Sequence, residues 1–320
     1  MKRARTQDGR IARRKSKLLK RLGVVVFSVV ILSTATVLTI QFVRHKFYSE
    51  NSVYALYDYW KDNDIEKVYE LSGKILQKDI FQNTALTFRG YSSFKLAVAN
   101  IASINESQDY IDEAINKLRI AIQTSGGKAQ GQTYYVLGLA YFYRDKLSSY
   151  HYYADLAIKY LLEARKRDYR SDDISELLGL CYSELGDTEN SIQSFSQALL
   201  VHESASLLYN IAKEYYAISE RSVAKQYLAR VLMISGDDEL KINTRNILGK
   251  IYLDEGDYSA AKKEFDSILE KNANFADAHY GLGILYEKQG DNAKARAEWR
   301  KCLKLQVKHA GALQKLSEIK

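Results

Sequence analysis

Five histidines, His45, His151, His202, His279 and His309, are the first place to look for acid–base or metal chemistry in this chain of 320 residues. They are scattered, and none has a second histidine, a cysteine pair or a carboxylate at a metal-ligand spacing. His279 opens an apolar-periodic segment and reads as a packing or surface residue. Ser125-Gly126-Gly127-Lys128 faintly suggests a phosphate loop, yet it lacks the spacing and the preceding strand such a loop needs, and reads as a linker. Asp237-Asp238-Glu239 could hold a cation, but three carboxylates ahead of a periodic run fit a solvated helix start, where the dipole favours negative charge. Neither Gly-x-Ser-x-Gly nor His-Glu-x-x-His occurs. Cys181 and Cys302 both fall at apolar helical positions and read as separate buried thiols rather than a bridge. No catalytic residue, cofactor or metal is expected, and the chain is expected not to be an enzyme.

What remains to bind with is tyrosine. The chain has 25 tyrosines and no proline. Without the strongest helix breaker, a mostly helical protein is favoured. The tyrosines follow a pattern. Leu137-Gly138, Leu178-Gly179, Ile211-Ala212, Leu248-Gly249 and Leu282-Gly283 are each followed three residues later by Tyr141, Tyr182, Tyr215, Tyr252 and Tyr286. A turn comes next: Gly186-Asp187, Gly256-Asp257 and Gly290-Asp291, with Ser219-Glu220 in the matching place of one unit. A small residue follows (Ala157, Ser191, Ala224, Ala261, Ala295), then a bulky one four further on (Leu161, Phe195, Leu228, Phe265, Trp299). Three beyond that stand Ala164, Ala198, Val231, Ile268 and Cys302. Gly179, Ala212, Gly249 and Gly283 are 33, 37 and 34 residues apart.

Spacings of three and four place these residues on one face of each of two helices per unit. The small residue lets the helices approach, the bulky one fills the gap to the neighbour, and Gly-Asp ends one helix and caps the next. A single pair cannot bury its apolar face, so pairs must stack. The pattern resembles the tetratricopeptide repeat, whose period is about 34 residues. It departs from that family in lacking the closing proline; Tyr169, Ala273 and Val307 sit near its place. The resemblance implies an all-α fold, an α-solenoid forming a right-handed superhelix of helical hairpins. Five repeats span 131–309, with a polar capping helix over 310–320. Divergent repeats fill 49–130, where Ala114, Leu118 and Ala121 reproduce the second-helix spacing, Gly90 is the candidate small residue and Asn63-Asp64 a turn. Thr124–Gln132 reads as a linker and Arg144–Tyr150 as the core of an insertion.

The resemblance also implies that the first helix of each repeat lines a concave groove that takes a protein or peptide partner. The candidate groove residues are Tyr91, Phe94, Tyr135, Leu139, Phe142, Glu176, Tyr209, Lys213, Tyr216, Asn246, Lys250, Tyr280 and Ile284. Tyrosine suits such a surface, offering large contact area, few rotors and one polar handle. The lysine–asparagine clamp with which some family members hold a C-terminal carboxylate is not found at the matching places.

Residues 1–21 hold ten basic residues and one acid, so the formal net charge of +8 is concentrated there and the rest of the chain is near neutral. A nucleic-acid surface on the main domain is therefore not expected. From Leu22 to Val43 no side chain carries a formal charge. At about 1.5 Å per residue that run reaches across the hydrocarbon core of a bilayer, and a transmembrane helix is predicted over 22–43. Cleavage as a signal peptide near Ser33-Thr34-Ala35 is the competing reading, opposed by the apolar run beyond it. Ser28, Ser33, Thr34, Thr36 and Thr39 within the span can return hydrogen bonds to their own helix. The heavier positive flank places a basic tail, 1–21, in the cytoplasm and the repeats outside it, in a periplasm or its equivalent. The expected function is a membrane-anchored interaction scaffold of the cell envelope; the alternatives are a glycan-binding or cell-wall accessory factor and a cytoplasm-facing adaptor.

Overall fold

The computed structural model describes residues 27–42, 52–148 and 153–318. All regular structure in them is helical, in sixteen helices. The first, α1, covers 27–42 and is exposed along its length. No helix among the described residues is long and apolar enough to cross a membrane. Of the predicted span, residues 22–26 and 43 lie outside the described residues, as does the basic segment 1–21. Within α1 the expected back-bonding is present: Ser33, Thr34, Thr36 and Thr39 donate to carbonyls three or four residues earlier, Thr36 to Leu32 at 2.7 Å and Thr39 to Ala35 at 2.6 Å.

The chain divides into two compact units, Met1–Ala129 and Gln130–Lys320. In unit 1, α2 (Val53–Lys61) and α3 (Ile65–Lys78) form one hairpin, and α4 (Asn83–Ala99) and α5 (Ile104–Thr124) a second. The turn expected at Asn63-Asp64 is there. Asn63 takes φ 57°, and the Asp64 carboxylate accepts from the Lys67 backbone N–H. Leu56, Val68, Leu86 and Ala121 are among the residues that close its core. Gly90 meets Leu118 as expected of the small residue: a Cβ there would lie 2.5 Å from the leucine side chain.

Unit 2 holds five hairpins and a final single helix. The pairs are α6 (Gly131–Lys146) with α7 (Ala154–Lys166), α8 (Ile174–Glu184) with α9 (Thr188–Leu199), and α10 (Ala205–Ala217) with α11 (Arg221–Ile234). Then come α12 (Asp238–Glu255) with α13 (Tyr258–Lys271), α14 (Ala276–Lys288) with α15 (Asn292–Leu305), and α16 (Ala310–Glu318). Each bulky second-helix residue packs where the pattern puts it. Leu161, Phe195, Leu228, Phe265 and Trp299 are all fully buried, each contributing about 1.5–3 kcal/mol of apolar burial. Gly186, Gly256 and Gly290 adopt φ of 72°, 79° and 80°, which a side chain would strain. The following Asp187, Asp257 and Asp291 each cap the next helix through the side chain.

The structure refines the sequence reading at three places. Gly131 belongs to the first turn of α6 rather than to the linker. It is glycine because Tyr169 and the carbonyls of Ala164 and Arg167 crowd the place of its Cβ. Asp237-Asp238-Glu239 is the start of α12, with the Asp237 side chain accepting from the Glu239 N–H, as the charge pattern predicts. Of the insertion, α6 takes Arg144–Lys146, and residues 149–152 lie outside the described residues.

First helices touch their successors, α8 to α10, α10 to α12 and α12 to α14, whereas no two second helices make comparable contact. A row of hairpins in contact along one side and apart along the other curves toward the touching side. The first helices therefore line the inner surface of unit 2.

Candidate functional site

The inner surface is built from side chains that project from the first helices at three- and four-residue intervals. At the α6–α8 end, the Tyr135 hydroxyl donates to Asp173 Oδ2 at 2.6 Å, and its ring packs 4.9 Å from that of Tyr169. Burial, and then the neighbouring Asp173 carboxylate, push the Tyr135 phenol well above the ordinary tyrosine range. Lys146 pairs with Glu184, and Glu176 with His202 Nε2 at 3.0 Å. Leu139 and Phe142 are half-buried, with the Lys146 ammonium 5.5 Å over the Phe142 ring.

Farther along, one carboxylate links α12, α14 and the entry to α16. Asp277, in the first turn of α14, accepts from Asn246 Nδ2 of α12 at 3.1 Å and pairs with Lys250 Nζ of α12 at 3.5 Å. His309, just ahead of α16, reaches its other oxygen through Nε2 at 3.2 Å. The same imidazole accepts the Ala312 backbone N–H on Nδ1, capping α16, and lies 4.7 Å from the ring of Tyr280. Tyr209 of α10 is near enough that Asp277, after burial, raises its phenol pKa. Tyr216 donates to Asp254 Oδ2 at 3.3 Å, an oxygen shared with Arg221.

The thirteen predicted residues thus fall into different settings. Tyr209, Lys213, Tyr216, Asn246, Lys250 and Tyr280 share the α10–α14 stretch of unit 2. Tyr135, Leu139, Phe142 and Glu176 stand on α6 and α8, and Ile284 packs partly into the cores around Phe265 and Trp299. Tyr91 and Phe94 belong to unit 1 and are 6% and 7% exposed, with Tyr91 against Trp60 and Phe88. They are packing residues there, because α4 is covered on several sides and has almost no free face. Asn246 is equally buried, and its Oδ1 is a buried acceptor with no hydrogen-bond partner among the described residues. Sequence reasoning missed Asp277, Asp173 and Asp254. The signal for the first two was their place at a helix start, which reads as capping until partners from the neighbouring repeat come into view.

The remaining chemistry-bearing groups are structural. Cys181 and Cys302 are free and buried, and burial pushes their thiols up to about 12 and about 11. His279 is a packing residue, its Nδ1 2.6 Å from Glu298. No cluster of His, Cys, Asp or Glu that could hold a metal ion occurs among the described residues.

Residues 154–206 and 248–301 match the tetratricopeptide repeat model. Over 105 residues the chain is 34% identical to the uncharacterized protein ycf37 of Pyropia yezoensis, a match covering 32% of this chain and 58% of that one. The chain therefore spans less than two thirds of the length of this curated relative. A solved tetratricopeptide repeat protein from Parabacteroides merdae is 17% identical with a TM-score of 0.54, covering 71% of this chain and 87% of its own. The C-terminal part of a TPR repeat-containing protein from Cytophaga hutchinsonii is 18% identical with a TM-score of 0.52, covering 83% and 99%. At those identities the likeness is one of fold. The stretches 154–206 and 248–301 thus carry tetratricopeptide repeats, which generally act in protein–protein interactions.

Proposed function

We propose that this tetratricopeptide repeat chain is a membrane-anchored scaffold that holds an extended segment of another protein along the inner surface of unit 2. The observation that carries the reading is the continuous layer of first helices, which presents half-buried tyrosines, the half-buried Lys250 and the exposed Lys213 over α10–α14. Such a surface gives apolar contact with polar handles at intervals, the combination a peptide groove needs. The anchor is supported by the uncharged run 22–43 and by α1, whose hydroxyls are returned to their own backbone and whose Phe27, Leu32, Leu38 and Phe42 are all more than 60% exposed. A helix so clothed suits a lipid environment. The heavier basic flank favours a non-cytoplasmic side for the repeats.

Site-specific photocrosslinking in native membranes tests the groove. A crosslinker at position 209 is expected to capture a discrete protein adduct, and one at Lys263, on the outer helix α13, is not. Equal capture from both positions, or none from 209, would remove the reading. For the anchor, alkaline carbonate is expected to leave the full chain in the membrane pellet and to release a variant lacking residues 22–43.

A further inference from the structure

Unit 1 exposes apolar side chains at both of its ends, and the two ends differ in charge. Its antiparallel hairpins put the start of α2, the end of α3, the start of α4 and the end of α5 together. Asn83, at the start of α4, donates through Nδ2 to the Ala121 carbonyl of α5 at 2.6 Å and to Thr124 Oγ1 at 2.9 Å, and the Tyr57 ring of α2 meets Phe88 of α4 at 4.8 Å. At this end Ile80 and Phe81, in the short loop from α3 to α4, are 64% and 60% exposed, and Tyr54 and Tyr57 are half exposed. Asp79 holds the loop: its Oδ1 accepts the Phe81 N–H at 3.1 Å, so a hydrogen-bonded turn presents the two apolar side chains. Lys78 and Lys128 are exposed beside it. The opposite end shows Ile101 and Ile104, but among acids. Asp62, Glu66, Glu106 and Asp109 are exposed there against Lys61, while Lys67 is paired with Asp64.

The chain enters unit 1 at the first of these ends. Helix α1 stops at residue 42 and α2 starts at Val53, so the start of α2 stands within about 40 Å of the end of α1 whatever path the chain takes between them. Resting on the anchor of the proposed function, we propose that this end of unit 1 is a footing on the anionic surface of the bilayer that holds α1. Ile80 and Phe81 enter the boundary between headgroups and acyl chains, which removes their apolar surface from water. Tyr54 and Tyr57 lie at headgroup level, where an aromatic body with a polar tip is favoured. Lys78 and Lys128 face lipid phosphates. The acidic end fits no such surface, because the same headgroups repel its carboxylates. The tether also selects the bilayer over a free partner, since it keeps the membrane near Val53 at a high effective concentration.

The test uses the full chain reconstituted into vesicles of phosphatidylcholine and phosphatidylglycerol, with an environment-sensitive dye on Ile80→Cys or, as the control, on Ile104→Cys. Cys181 and Cys302 are buried, so the dye goes to the introduced thiol. The two ends are separated by the length of α3, whose 14 residues span about 21 Å. A nitroxide carried on the lipid headgroup is therefore expected to quench the dye at 80 more than the dye at 104, by on the order of threefold. Phe81→Ser in the Ile80→Cys background should bring the quenching at 80 down towards the value at 104. Equal quenching at the two sites, or none at 80, in vesicles that carry the chain on flotation overturns the footing and leaves the anchor in place. A dye at 80 that shifts to the blue without being quenched shows that a second copy of the chain covers this end, and overturns the footing too. A chain that does not float with the vesicles overturns both the footing and the anchor.

Discussion

Phe265 shows how tightly single residues are fitted. Its ring is fully buried between two glycines: a Cβ on Gly249 of α12 would lie 2.6 Å from Cε1, and one on Gly281 of α14 would come closer still to Cζ. Alanine normally favours a helix over glycine by about 1 kcal/mol. Here that gain is outweighed, because the ring cannot retreat from one glycine without striking the other. Gly281→Ala is expected to lower unfolding free energy by about 1–3 kcal/mol, and a Phe265→Leu background should abolish most of the difference. A denaturation double-mutant cycle with no coupling between the two positions would refute this. Gly249 was legible in the sequence as a repeat marker; Gly281 was not, since its reason lies on the preceding hairpin. In unit 1 the corresponding tight spot is polar. Glu113 accepts from Arg89 Nε at 2.7 Å, from the Tyr69 hydroxyl at 2.9 Å and from Ser93 at 3.1 Å, and the Arg89 guanidinium lies 3.3 Å over the Tyr69 ring. Glu113→Gln removes the charge that holds this cluster of three helices, at a cost of about 1–3 kcal/mol measurable as a shifted urea midpoint. An unchanged midpoint would show the cluster to be energetically idle.

Among elements, the caps do the work that the missing prolines do elsewhere. The second helix α7 ends at Arg167, and Asp168 then turns left-handed with φ 58°. The helices α13 and α15 end with the N–H of Asn272 and Gln306 bonded back to Ile268 and Cys302. Helix stops need backbone groups with somewhere to bond, and proline is one route among several. At the starts, Asp257 accepts the Ala260 N–H at 2.9 Å. Asp257→Ala should destabilise by about 1 kcal/mol, and Asp257→Asn by much less; equal losses for the two would deny the side chain its capping role. Helices and turns of this kind were readable from residue type because they depend on neighbours within four positions. The Asp277 cluster was not, because Asn246 and His309 stand 31 and 32 residues away, on α12 and at the entry to α16. The burial of Tyr91 and Phe94 was not legible for a related reason: spacing identifies a helix face, but only the neighbouring helices decide whether that face is covered.

For the whole molecule, tyrosine burial sets a limit on the alkaline side. Burial raises the phenol pKa of Tyr69, Tyr135, Tyr209, Tyr216 and Tyr280 above the ordinary 10.0. A fold that keeps these protons longer than the unfolded chain does is favoured fully below about pH 10. It loses that advantage as pH rises through the raised values. Melting temperature should therefore hold steady up to about pH 10 and fall beyond it; a melting temperature flat into strong alkali would contradict the shared shift. The all-helical class and the recurring hairpin could be read from periodicity, since the units repeat the same solution.

The curve of unit 2 also has a mechanical side. Material on the inside of a bend is stretched whenever the bend is straightened, and in this protein the inside is where Asp277 ties α12, α14 and the entry to α16 together. Those ties act as tension rods. Straightening unit 2 must break them, whereas the outer helices, already standing apart, offer no resistance to closing up. The curvature of unit 2 is thus held from within.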